Sequence, residues 1–173
     1  LLTKIPKVGD GFLSKFKPDD ILEKARNEIE FIKKYNINVS FFTDKSYPQR
    51  LKNCEDAPII LYSKGESNLR STKILSIVGT RKPTEYGLSI CKEIIYDLSK
   101  IHKDLIIVSG LAYGIDTCAH TAALKNNLKT IAVLGHGLGN IYPASHRSMA
   151  EEIVRNGSLI TEFKSNTKAV RGN

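Results

Sequence analysis

From Lys73 onward the chain alternates short apolar runs with longer segments whose apolar residues recur every three or four positions. Ile74–Val78 is the first run and ends at Gly79. Glu85–Lys100 follows, with Leu88, Cys91, Ile94, Ile95 and Leu98 at helical spacing. Leu105–Val108 is the second run, closed by Ser109 and Gly110, and Ile115–Lys125 reads as a short Ala-rich helix with Asp116 in its first turn. Thr130–Leu134 ends at Gly135. Ser145–Asn156 is a third helix, with Met149, Ile153 and Val154 on one face, and Leu159–Thr161 is a fourth strand. Strands that are apolar along their whole length fit a parallel sheet covered on both faces. With right-handed crossovers, this β-α-β-α-β-α-β order predicts an α/β fold: a Rossmann-like, doubly wound, mostly parallel sheet.

The texture upstream is different. Residues 1–45 read as helical: Asp19 and Asp20 follow Pro18 at a helix start, and Ile21, Leu22, Ala25, Ile29 and Ile32 recur between Lys and Glu. Before them, Ile5–Phe16 holds a Gly-rich turn feeding a second short helix. Residues 46–73 read as a connector with one short strand at Ile59–Tyr62. The expected organisation is a small N-terminal helical domain over 1–45 and a Rossmann-like domain over 46–173.

Composition narrows the class. In 173 residues, 41% are hydrophobic and 25% charged, enough to bury a core. No apolar run approaches the ~20 residues that cross a bilayer. The first residues show no basic segment before a long apolar stretch, so no signal peptide is visible and a cytoplasmic location is expected. Cys54, Cys91 and Cys118 form no C-x-x-C, which removes a zinc ribbon or redox pair and leaves free thiols in a reducing compartment. The formal net charge is +8, and residues 1–73 and 74–173 carry +4 each. An excess so evenly spread favours an anionic partner such as nucleic acid without saying where it binds.

Three loops at strand ends are the places for chemistry, because ligands of open α/β sheets bind beyond the carboxyl ends of the strands. In Gly79–Thr84, backbone amides at the helix start can meet an anion and Arg81 can clamp a phosphate, with Thr80 and Lys82 beside it. The bland alternative is that Gly79 turns the chain, Thr84 caps the helix and Arg81 is solvated. In Ser109–Asp116, Gly110 and Gly114 bracket small residues, so a ligand can lie against bare backbone. Asp116 and His120 stand four apart on one helical face and read as a buried hydrogen-bonded pair that fixes the loop. A metal or catalytic role would need further ligands, and none is evident. Ser109 is not in a G-x-S-x-G elbow, which argues against a serine hydrolase. The third loop, Gly135–Pro143, carries Gly-x-Gly-x-Gly rather than a dinucleotide fingerprint, so no nicotinamide cofactor is expected. His136 faces the crevice on this reading, with Gly137 beside it, and Tyr142-Pro143 shapes the loop. His146 and Arg147 either add positive charge or face solvent.

At these loops the chain resembles the DNA-processing protein family DprA, also called Smf. The matching segments are Ser76–Gly87 (SIVGTRKPTEYG), Val108–His120 (VSGLAYGIDTCAH) and Thr130–Pro143 (TIAVLGHGLGNIYP). Tyr47–Leu51 and the stretch from Ala57-Pro58 to Lys64-Gly65 match the family's lead-in, and Lys4–Phe16 looks like a trimmed helix-hairpin-helix element. The chain departs from the pattern at Asn140, where Asp is frequent, at His146, where Asn is common, and at Tyr113, often basic in relatives. The family would continue past Asn173 with an Arg-Asn-Arg segment, further sheet elements and part of a dimer surface, so the chain reads as a truncated member.

The resemblance implies a non-catalytic role: binding single-stranded DNA during natural transformation and recombination, and loading the RecA recombinase onto it. It implies no cofactor and no membrane, and a homodimer that truncation would weaken. The implied DNA site is Gly79, Thr80, Arg81, Lys82, Ser109, Gly110, Tyr113, His136 and Gly137, with Asp116 and His120 structural. Phosphate contacts carry no base information, so sequence preference should be weak. The rival reading is a nucleotide-binding or nucleotide-hydrolysing enzyme of the lysine-decarboxylase-like kind. Those proteins carry a P-G-G-x-G-T loop, whereas Gly135–Asn140 here has neither that Pro nor that Thr.

Overall fold

The structure, a computed structural model, describes residues 18–66 and 68–170. It divides into two units, Leu1–Asn36 and Ile37–Asn173. In the first, helix α1 (Pro18–Tyr35) places Asp19 and Asp20 in its first turn and Lys33 and Lys34 in its last, both matched to the helix dipole. It stops at Asn36, whose φ of 51° is left-handed, a conformation Asn tolerates better than most residues. The helical element expected at Lys4–Phe16 lies outside the described residues.

The boundary falls at Asn36 rather than near residue 45, because the next residues are not helical. Asn38–Phe41 is a strand, β1, in antiparallel register with β2 (Ile60–Gly65), Asn38 opposite Ser63 and Phe41 opposite Ile60. The intervening stretch holds a one-turn helix, α2 (Gln49–Lys52). It is anchored by Tyr47, fully buried with its hydroxyl donating to Pro58 O at 2.6 Å, and by Arg50 donating to Thr72 O.

The remaining elements follow the predicted alternation: β3 (Ile74–Ser76), α3 (Glu85–Ile101), β4 (Ile106–Ser109), α4 (Ile115–Lys125), β5 (Lys129–Val133), a 3-10 turn (Ala144–His146), α5 (Arg147–Asn156) and β6 (Ser158–Thr161). The six strands form one sheet in the order β1-β2-β6-β5-β4-β3. β3 to β6 run parallel, and β2 joins β6 antiparallel. This is the α/β, Rossmann-like, mostly parallel architecture the pattern predicts, with the helices that follow β3, β4 and β5 on one face of the sheet rather than on both.

Strand order then fixes the helices. β3, β4, β5 and β6 stand side by side in chain order, so right-handed crossovers carry α3, α4 and α5 to one face. Leu75, Ile107 and Thr130 are register neighbours on that face, as are Ala132 and Leu159. Ile107 packs with Cys91, Ile95, Cys118, Ala119, Ala122 and Ala123, and Ala132 and Leu159 pack with Ala150 and Ile153. The alanines of α4 let it approach both the sheet and α3. Burial pushes the Cys91 thiol up to about 12, aided by neighbouring Cys118, so this thiol stays protonated at neutral pH. Among the described residues no helix is long and apolar enough to cross a membrane.

One polar chain crosses this core. Thr130 Oγ1 donates to Ile107 O at 2.8 Å, tying β5 to β4, and lies 2.7 Å from His120 Nδ1. Since the hydroxyl proton is committed to Ile107, His120 must donate from Nδ1, leaving Nε2 bare, and Nε2 is buried with no partner. Protonation would put an unpaired N–H in the core. Burial, reinforced by repulsion from His146, accordingly lowers the His120 pKa from 6.5 to about 4. The unfolded chain therefore binds the extra proton first, and stability is lost as pH falls from about 6.5 to 4. By linkage the loss approaches roughly 3 kcal/mol at pH 4. Urea midpoints from pH 7 to 4 should show this slope, and His120→Asn should flatten it. Thr130→Val strands the Nδ1 donor and should cost about 1–3 kcal/mol at pH 7.

Candidate nucleic-acid interface

The carboxyl ends of β3, β4 and β5 open into the three loops singled out above. In the first, Gly79 leaves room for Ile115, whose side chain would lie 2.6 Å from a Cβ at this position. Thr80 turns the chain on both sides: its Oγ1 accepts from Lys82 N at 3.2 Å and its carbonyl accepts from Ile115 N at 3.2 Å. Thr84 Oγ1 then accepts from Gly87 N and caps α3. Arg81 and Lys82 are left exposed at the tip, and neither has a carboxylate partner among the described residues.

The second loop presses directly onto the first. Gly114 adopts φ 86°, and a side chain there would run into Thr80 O and come within 2.8 Å of Arg81 C. Only glycine permits both that angle and that approach. Gly110 is exposed at the start of this loop. Asp116 is buried in the first turn of α4, where Oδ2 accepts from Ala112 N at 3.3 Å. The expected bond between Asp116 and His120 does not form. Each is buried and structural, but Asp116 holds the loop backbone while His120 reaches across to Thr130. Ser109 also differs from expectation: it is buried, and its hydroxyl donates to Ile77 O at 2.7 Å, bracing β4 against the start of the first loop. It supports the site from beneath.

Tyr113, at the tip of the second loop, is half exposed. Its hydroxyl lies 3.1 Å from Ser145 Oγ, and its ring stands edge-on to His146 with centroids 4.7 Å apart. His146 Nδ1 donates to Leu111 O at 2.8 Å. That carbonyl belongs to a buried leucine with φ 62°, a strained conformation for a branched side chain. Ser145 and His146 thus hold Tyr113 and its loop in place. Their pattern in the chain gives no hint of this, because the contacts join residues 32 to 35 apart.

The third loop is covered. Gly137 N donates to Thr167 O at 3.0 Å and Gly139 N to Ser165 O at 2.9 Å, so residues 164–167 lie across the Gly-x-Gly-x-Gly turn. His136 and Gly137 are buried under this strap. His136 donates from Nδ1 to Gly137 O at 2.9 Å, and its Nε2 is enclosed. These two residues therefore do not face the crevice, contrary to the sequence expectation. What the loops bring together at the surface is Thr80, Arg81, Lys82, Gly110 and Tyr113, bordered by Ser145, His146 and Arg147. The set offers cations, hydroxyls and one aromatic face. Among the described residues no cluster of three metal-ligating side chains exists.

Comparison with known proteins places this arrangement. The family model for DNA recombination-mediator protein A matches residues 38–173. The DNA processing protein DprA of Bacillus subtilis (strain 168) is 36% identical over 133 residues, 76% of this chain and 44% of that protein. Protein Smf of Synechocystis is 38% identical, with 85% of this chain and 38% of that protein covered. The chain thus spans about two fifths of the length of these relatives. Among solved structures, DNA processing protein A from Streptococcus pneumoniae superposes with TM-score 0.72 at 33% identity, covering 82% of this chain and 50% of that one. The Helicobacter pylori protein, whose structure concerns its single-stranded DNA binding mode, gives TM-score 0.69 at 27% identity, covering 80% and 60%. With the family's match beginning at β1 and running through all three loops, the chain belongs to the DNA recombination-mediator protein A family, DprA/Smf.

Proposed function

We propose that this chain binds the phosphate backbone of single-stranded DNA, with Arg81 and Lys82 as the principal contacts. The observation that carries the reading is the presentation of these two cations: exposed, without carboxylate partners among the described residues, and held from behind by Gly114 and Ile115. The Helicobacter pylori relative, described for its single-stranded DNA binding mode, supports the ligand class. Arg81 forks two parallel hydrogen bonds to a phosphate, and Lys82 adds a point charge. Tyr113 supplies a face on which a base or sugar can rest. Binding of this kind is indifferent to sequence. Within the cytoplasm the chain acts in natural transformation and recombination, handing its strand to RecA and working as a homodimer rather than as a catalyst.

Oligo(dT) titrations followed by fluorescence anisotropy test the site. Arg81→Ala should reduce the slope of log affinity against log salt by about 0.7, one phosphate's worth. Arg81→Glu should remove measurable binding while leaving the melting curve unchanged. Tyr113→Ala should weaken binding by roughly 1–3 kcal/mol, the range of one base-aromatic stack. Wild-type affinity in Arg81→Glu overturns the assignment. Acceleration of RecA filament growth on coated single strands, lost in Arg81→Glu, is the expected outcome for the hand-over. Nucleotide turnover abolished by Arg81→Ala would point instead to an enzyme.

A further inference from the structure

Pro83, next to Lys82 in the first loop, and Gly114, packed against Thr80 and Arg81, also line a hollow of about 330 Å³ between α3 and α4. Leu88 and Cys118 form its floor, and Lys92, Thr117 and Thr121 complete its walls. Lys92 is exposed and, like Arg81, has no carboxylate partner among the described residues. Thr117 and Thr121 stand one helical turn apart on α4 and face the same groove. Thr117 donates its proton to Gly114 O at 3.0 Å, which leaves its oxygen lone pairs able to accept from a ligand or a bridging water. Among the described residues no acidic side chain lines the hollow.

We infer that the groove between α3 and α4 is a second subsite for the same strand, with Lys92 neutralising a phosphate beyond those held at the first loop. The inference rests on the single-stranded DNA reading and extends it. Continuity with the Arg81 loop through Pro83 and Gly114 and the local charge both favour that occupant: an ammonium beside hydroxyls and apolar side chains suits a flexible polyanion with apolar faces. One turn beyond Lys92 on α3, Tyr96 is half exposed, with Lys100 Nζ 3.9 Å over its ring and paired to Asp97 Oδ1 at 3.3 Å, so an aromatic face stands further along the helix.

Length dependence separates this subsite from the first. Titrations would use oligo(dT) of about 4 and about 16 nucleotides, the range of site sizes for single-strand binders. With the long oligomer, Lys92→Gln should lower the salt slope by about 0.7, whereas with the short one it should leave the slope unchanged. Lys92→Arg should restore the long-oligomer slope. Because Lys92 is exposed, the variants should melt with the wild type. If Lys92→Gln matches wild type at both lengths while Arg81→Ala still weakens binding, the groove is not a subsite and the Arg81 reading stands. If wild type binds neither oligomer, both readings fall together.

Discussion

The donation from Ile115 N to Thr80 O is the contact on which the site depends. It joins the loop after β3 to the first residue of α4, so the N-terminus of one helix is built against the turn that carries the cations. The join requires two backbones to touch, and Gly114 is what lets them. Ser109 repeats the tie one layer deeper through Ile77. Arg81 and Lys82 therefore stand on a braced platform while their own side chains are exposed. Long cationic side chains lose much rotamer entropy on binding. A fixed base limits what must be ordered to those side chains and the ligand.

The same economy governs the buried polar groups. His120, Thr130 and Ile107 form a chain in which every proton has one possible place, and the bare Nε2 makes the core sensitive to acid. Leu111 takes an unfavourable backbone angle, held there by full burial of its side chain and by His146 on its carbonyl. Strain of this sort persists only where surrounding contacts over-determine it. Here it lies directly under Tyr113, the aromatic at the crevice.

Much of this was legible in the chain. Apolar runs closed by glycine gave the parallel strands, and the Arg81-Lys82 pair after the first of them marked the loop that stays open. Periodicity misses β1, because Ile37–Phe41 continues the apolar spacing of α1 and only pairing with β2 makes it a strand. It also misassigns His136 and Gly137. Their burial comes from residues 164–167, some thirty positions downstream, and no local pattern announces a strap made of carbonyls. The Asp116–His120 spacing correctly places both on the inward side of α4. Spacing alone is silent about which neighbour each will choose, and the loop amide and Thr130 proved the better partners.

The strap has a consequence in time as well as space. A ribosome adds residues at about 5–20 per second, so Thr167 follows Gly137 by roughly 2–6 s. For that interval the amides of the Gly-x-Gly-x-Gly turn have no carbonyls to meet, although the residues of β3, β4 and the Arg81 loop have already been synthesised. The arrival of Ser165 and Thr167 gives those amides their acceptors, and the Arg81 loop stays exposed.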